Sequence, residues 1–320
     1  MAFTIPINQI LDHWNIDIQQ FRVIRDSDKK LIEIESINGE QFILKAEKYT
    51  NYRINDVCIF ANQLANILPC TSFLKTTANS FVVQFGTFIY TLERRVYGAE
   101  LQYVNDRVLT NIATALGKMH QLSLQQNIRL FQSTSWAMFG GNQTEKLGDY
   151  DENELSFLKL QESYPKEEIT ALISTYYNAH REKLRLMWPS LPKAATQGDF
   201  CYYNMLFNEK YEISGLFDFN IAGDEVLVNE CIAVGIYLCW HVEYKGHKTP
   251  EERFISFINQ YCTQREFNAI EKEAVLHLFA IIRAFRFDRI EEGIANASTI
   301  TNFLEETLNL LMKPFALFSD

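Results

Sequence analysis

The sequence predicts an α+β protein in two unequal lobes, a small antiparallel β-sheet lobe with one helix and a larger, mostly α-helical lobe. Three observations lead there. Short runs rich in β-branched and aromatic residues crowd residues 20 to 95. From about residue 105 the apolar residues recur at helical rather than alternating period. The chain has 320 residues, 47% of them hydrophobic, which is enough for two cores.

Phe21–Ile24, Lys30–Glu35 and Gln41–Lys45 read as three antiparallel strands, the last two joined by Asn38-Gly39, a dipeptide that accepts the positive φ angles of a tight hairpin. Asn55–Leu68 follows with apolar residues at 57, 60, 61, 64, 65 and 68, one face of a helix that Pro69 stops. Ser80–Phe85 and Phe88–Leu92 are two more strands around the turn Gly86-Thr87. The order β-β-β-α-β-β is complete near residue 95, so the lobes are expected at 1–95 and 96–320. Helices are expected over Val108–His120, Lys166–Met187, 252–261 and 267–312, with a polar loop at Glu243–Glu252. One stretch, Ala194–Asp224, breaks the helical pattern with strand and turn character, the kind of interruption that carries function on a rigid scaffold.

Composition narrows the function classes. With 30 Lys+Arg against 40 Asp+Glu the net charge is −10, spread along the chain without a basic stripe, which argues against a nucleic-acid binder. The six cysteines form no CxxC pair, so neither a structural zinc site nor a disulfide framework is signalled. Asp12 and His13 interrupt the N-terminal segment before an apolar targeting region forms, and the longest apolar run, Cys231–Trp240, is half a membrane span. A cytoplasmic protein that does not cross a membrane is expected. Its oligomeric state is not legible.

The interrupting stretch holds Asp199, Asn204 and Asp218, two carboxylates and a carboxamide at spacings of 5 and 19. Met205–Phe207 and Ile213–Phe217 can pair as a hairpin, which returns Asp218 to the side of Asn204. Phosphoryl transfer needs this set: one carboxylate to take the proton of an attacking hydroxyl, and an amide oxygen with a second carboxylate to hold Mg²⁺ against nucleotide phosphates. Gly198 permits a tight turn just before the candidate base.

These residues resemble the aminoglycoside phosphotransferase and choline kinase group, proteins of protein-kinase-like fold that phosphorylate small-molecule hydroxyls. The block Gly198-Asp199…Asn204 and then Gly215…Asp218-Phe219 is similar to that family's catalytic and metal-binding segments. Phe42–Lys45 resembles its strand-three lysine, Leu92–Gly98 its hinge, and Leu116–His120 its helix-ending Leu-His segment. Gln197 before Gly-Asp, the Cys239-Trp240 pair and Arg283–Arg289 are closest to the homoserine-kinase-like branch.

The resemblance implies Asp199 as catalytic base, Asn204 and Asp218 as Mg²⁺ ligands, Lys45 on the nucleotide phosphates, and the backbone from Glu93 to Arg95 at the base of ATP or GTP. The turn Arg25–Lys30 lacks the family's glycine, leaving Ser27 or Lys29 to serve the phosphates. Asp56 is the acid nearest to the family's lysine-pairing helix glutamate, and Asn229 or Glu230 precedes Cys231–Ala233 where the family carries an acid.

For the acceptor pocket three residues are candidates, each with a plainer alternative. Asp224 is either an acidic rim or a solvated loop residue. Trp240 lines the pocket or packs in the core, and Arg286 holds a substrate carboxylate or pairs with a surface glutamate. His120 reads as a helix-end residue facing the dipole. The function expected is an ATP- or GTP-dependent phosphotransferase acting on a small hydroxyl compound: an aminoglycoside, an amino alcohol such as homoserine or choline, or a sugar. The alternative is a kinase-like protein that binds nucleotide or metabolite without the reaction, motivated by the missing loop glycine and helix glutamate.

Overall fold

In the computed structural model, which describes residues 6–48, 53–143, 148, 150–296, 300–313 and 317, the chain begins with α1 (Ile7–Leu11), β1 (Ile18–Asp26), β2 (Lys29–Ser36) and β3 (Gln41–Lys48). Then come α2 (Ile54–Leu64), β4 (Val82–Phe85), β5 (Phe88–Arg94), α3 (Asp106–Gln125), α4 (Glu152–Ser163) and α5 (Glu168–Met187). Four short strands follow, β6 (Lys193–Thr196), β7 (Met205–Phe207), β8 (Ile213–Leu216) and β9 (Gly223–Val226). The chain finishes with α6 (Leu227–Ile236), α7 (Pro250–Cys262), α8 (Ala269–Ala284), α9 (Phe287–Ala295) and α10 (Ile300–Met312). Two compact units form, Met1–Glu100 with Tyr203–Phe219, and Leu101–Tyr202 with Asn220–Asp320.

The first unit is built on an antiparallel sheet of order β1-β2-β3-β5-β4. Strict alternation decides its faces. Ile32, Ile34, Phe42, Leu44, Ala46, Tyr90 and Leu92 point one way and are sealed by Ile7, Ile10, Leu11 and Trp14 of the N-terminal segment. The Trp14 indole anchors that cover by donating to Leu74 O at 2.9 Å. The β2–β3 turn is the expected one, with Gly39 at φ +78° and its N–H bonded to Ser36 O at 2.8 Å. The hairpin β7–β8 joins the same unit, since Leu216 N–H donates to Pro69 O and Thr71 N–H to Leu216 O, both at 2.8 Å.

The second unit is helical apart from the two-stranded β6–β9 sheet. Side chains satisfy the orphan amides at the start of three of its helices: Asn105 caps α3, and Thr249/Glu252 and Asn268/Glu271 form capping boxes on α7 and α8. The apolar pattern over 267–312 resolves into α8, α9 and α10, because Arg286 takes an extended backbone (φ −65°, ψ 137°) that ends the helical run. The helix α4 and the short α1 were absent from the sequence expectation. The mixed hydropathy of α4 hides its period, and only Ser156, Phe157 and Leu160 on it are buried. No helix among the described residues is long and apolar enough to cross a membrane.

Candidate active site

In the first unit, sheet register sets the geometry. Lys45 lies opposite Thr91 and Ile43 opposite Glu93, which puts the Lys45 and Glu93 side chains on the same face as diagonal neighbours. Their ammonium and carboxylate meet at 2.9 Å, both largely buried. Burial alone would lower the Lys45 pKa, but Glu93 and then Asp218 outweigh it and hold the ammonium above its ordinary value. The same burial pushes the Glu93 carboxyl up against the pull of Lys45. Asp56, the acid expected nearest to Lys45, instead pairs with Arg53 at the start of α2 at 2.5 Å. Sequence reasoning placed Glu93 by its backbone; its side chain is the lysine partner, and strand parity was the signal for it.

The nearby nucleotide-site candidates sit as follows. Ser27 is exposed in the two-residue turn between β1 and β2, its hydroxyl donating to Lys29 O at 3.0 Å. Lys29 lies 3.6 Å from Glu47, and Asp28 pairs with Lys48 at 2.6 Å. The Arg94 and Arg95 amides donate to Ser72 O (2.8 Å) and Gln41 O (3.1 Å), while the Arg95 guanidinium reaches Gln41 Oε1 at 3.0 Å and Glu33 Oε1 at 3.1 Å.

The β7–β8 hairpin returns Asp218 to the side of Asn204. Met205 pairs with Leu216, and Phe217 N–H donates to Asn204 O at 3.1 Å, so Asn204 and Asp218 flank one strand end. Asp218 adopts a left-handed backbone, φ +62°, which Asp tolerates better than most residues. The next residue, Phe219, is buried edge-to-face on Phe60 of α2 at 6.1 Å, which pins the turn. The donor set fits Mg²⁺, a hard cation held by one or two protein oxygens and completed by phosphates and water. Among the described residues no cluster of three or more His, Cys, Asp or Glu side chains that could hold a metal ion forms.

Asp199 belongs to the second unit. Its N–H bonds to the buried Gln197 Oε1 at 2.9 Å, and Cys201 Sγ donates to its Oδ1 at 3.0 Å. The preceding Gly198 has φ +87°, and a Cβ there would stand 2.4 Å from Ile221 O, so the turn demands glycine. The Gly198 amide donates to Glu230 Oε1 at 3.3 Å, an acid that the sequence offered only as one of two candidates.

The three acceptor candidates do not share one environment. Asp224 is buried, and its carboxylate accepts from Leu130 N–H (2.8 Å), Phe131 N–H (3.0 Å) and Arg129 Nε (3.0 Å), tying down the segment after α3. Trp240 packs on Phe254 and Phe279 with the Arg283 guanidinium 5.1 Å from its ring. Arg286 lies 4.9 Å from the Tyr237 ring and 3.0 Å from Asp288, which also pairs with His241 at 3.2 Å. Tyr237 stacks with Tyr202, and burial, followed by Cys201 and Tyr202 and less strongly by Asp199, pushes its hydroxyl pKa up. Tyr237 therefore stands between Arg286 and the Asp199 turn.

Residues 78–229 match the family model described as "Phosphotransferase enzyme family". No curated protein matches the chain in sequence. Among solved structures, an amicoumacin kinase in complex with AMP-PNP, Ca²⁺ and its antibiotic is similar at 13% identity and a TM-score of 0.65, covering 100% of this chain and 96% of that one. An aminoglycoside phosphotransferase from Alicyclobacillus acidocaldarius has 14% identity and a TM-score of 0.60, with 98% and 97% of the two chains covered. A microcompartment-associated aminopropanol kinase is similar to the same degree, 14% and 0.60, with 95% and 94% covered. None of them singles out the homoserine-kinase-like branch. The chain thus has the fold of these structures along its length, and residues 78–229, just under half of it, match the phosphotransferase enzyme family.

Proposed function

We infer that the protein transfers the γ-phosphoryl group of ATP, with GTP as the less argued donor, to a hydroxyl of a small molecule. The observation that carries this is Lys45, a buried ammonium held charged between Glu93 and Asp218 in the unit that also presents Asn204. Lys45 binds the nucleotide phosphates, and the Glu93–Arg95 segment and Ser27 lie along the rest of the nucleotide. Asn204 and Asp218 hold the metal, which when bound neutralises charge on the β- and γ-phosphates. Asp199 accepts the proton of the acceptor hydroxyl. Its carboxylate is steered by Cys201 and by the Gln197-braced backbone. Most of the rate gain is then positioning and charge compensation.

For the acceptor, amino alcohols, aminoglycosides and sugars are the classes in view. Tyr237, stacked on Tyr202 next to the Asp199 turn, and Arg286 against the Tyr237 ring are the residues we assign to it first, with Trp240 after them. Asp224 serves the acceptor only indirectly, by holding residues 129–131.

Binding without transfer is the second reading, favoured by the glycine-free β1–β2 turn, where Lys29, Asp28 and Lys48 are engaged with one another's strands rather than with open backbone amides. A phosphate-acceptor screen on the purified protein, reading nucleoside diphosphate release, decides between them. Asp199→Ala is expected to lower kcat by at least about 10²-fold with nucleotide affinity nearly intact. Turnover retained in that variant would sink the assignment.

A further inference from the structure

Behind the Asp199 turn a line of buried polar groups runs through four helices of the second unit. Glu230 of α6 receives the Gly198 amide on Oε1, and its Oε2 lies 2.6 Å from His120 Nε2 on α3. His120 Nδ1 is 2.8 Å from the hydroxyl of Tyr261 on α7, and Arg265 donates to that hydroxyl at 2.9 Å. Arg265 also donates to Glu271 Oε1 on α8 at 2.5 Å, and Glu271 Oε2 accepts the Asn268 amide at 3.0 Å. His120 and Tyr261 are wholly inaccessible to solvent.

Only one order of protons satisfies this line. Arg265 is a pure donor, so the Tyr261 oxygen accepts from it and its single O–H is free to point at His120. His120 Nδ1 then accepts, which leaves its proton on Nε2, aimed at the Glu230 carboxylate. Burial holds the imidazole below its ordinary pKa, in keeping with a neutral ring. Each donor along the line thus polarises the next toward Glu230.

Such a line is a poor way to stabilise a core. Three ionisable groups, Glu230, Arg265 and Glu271, are taken out of water where well-packed apolar side chains would serve stability as well or better. What distinguishes it is its end: the last acceptor oxygen grips a backbone amide one residue before the catalytic base. Gly198 cannot hold its own position, because its φ of +87° and its closeness to Ile221 exclude a side chain.

We propose that His120 and Tyr261 are positioning residues of phosphoryl transfer, acting through Glu230 on the Gly198 amide to fix the direction in which Asp199 presents its carboxylate. The inference rests on Asp199 being the base.

Tyr261→Phe tests it with the least disturbance, since it removes one oxygen and keeps the ring. Losing one link of a buried line corresponds to a fall in kcat of about three- to tenfold, with KM for Mg-ATP within about twofold. Gly198 amide hydrogen exchange, followed by NMR or mass spectrometry, should accelerate in the same variant. His120→Gln, which retains a donor toward Glu230, should recover much of the kcat lost in His120→Leu. A purely structural histidine would not show that rescue. Unchanged Gly198 exchange in folded Tyr261→Phe, or faster exchange with unchanged kcat, overturns the proposal. Asp199→Asn separates the two levels: turnover surviving there defeats the proposed function itself, and the exchange measurement still decides whether the relay clamps the turn.

Discussion

Lys45 owes its role to strand parity. Were the β3–β5 register shifted by one residue, its side chain would enter the core packed under Trp14, where an ammonium has no partner. Because Glu93 shares its face, Glu93→Gln should leave Lys45 with the weaker pull of Asp218 and Glu47, raising nucleotide KM by about five- to tenfold and costing about 1–3 kcal/mol of stability. Asp56→Ala, which touches only Arg53, should do neither; steady-state kinetics and denaturant melts of the pair check this.

Glu225 gives a second residue-scale prediction. It is buried, and desolvation pushes its carboxyl up to about 7. The Thr134 hydroxyl, 2.6 Å from Trp136 O and 3.2 Å from Glu225 Oε2, and the Val226 amide at Glu225 Oε1 (2.7 Å) favour the ionised form but do not offset that burial. With a folded pKa above the unfolded value of 4.5, the stability this group contributes is full below 4.5 and is lost as pH rises to about 7. Glu225→Gln removes the titration, so its stability should overtake that of wild type between pH 5 and 8, by on the order of 2–3 kcal/mol at the upper end, as denaturant melts across that range would read.

At the scale of elements, the β7–β8 hairpin and the Gly198 turn were legible because each is a local matter. The strand pairing follows from two apolar runs across a short polar loop, and the turn from a glycine beside an acid. Gly198→Ala sets a Cβ 2.4 Å from the Ile221 carbonyl at a left-handed φ, and it should cost about 1–3 kcal/mol and most of the turnover. A thermal melt and a coupled phosphotransfer assay measure the two effects. The helices were legible unevenly. The amphipathic stripes of α3 and α5 show the period, whereas the break between α8 and α9 at Arg286 carries neither Pro nor Gly to announce it. His120 shows the limit of local reading: α3 continues to Gln125, so the residue expected to face a helix-end dipole is instead buried inside the helix, on Glu230 and Tyr261.

For the whole molecule, a net charge of −10 makes nucleotide binding depend on local cations, and among the described residues Lys45 is the buried one beside the metal candidates. A protein that binds Mg-ATP must gain stability from it, about 2.7 kcal/mol at a hundredfold excess over Kd, read as a rise of several degrees in melting temperature. No shift at millimolar nucleotide would leave binding unsupported in either reading.

The sequence by itself determined the α+β class, the order of β1 to β5 with α2 among them, and the Asp199, Asn204 and Asp218 spacing, because periodicity and turn chemistry act over a few residues. Tertiary structure alone decided that Lys45 answers to Glu93 rather than Asp56, that Asp224 is an internal anchor, and that Glu230 holds the Gly198 amide. Those partners lie 48, 94 and 32 residues apart in the chain, and their meeting depends on register and helix packing that no short window of sequence contains.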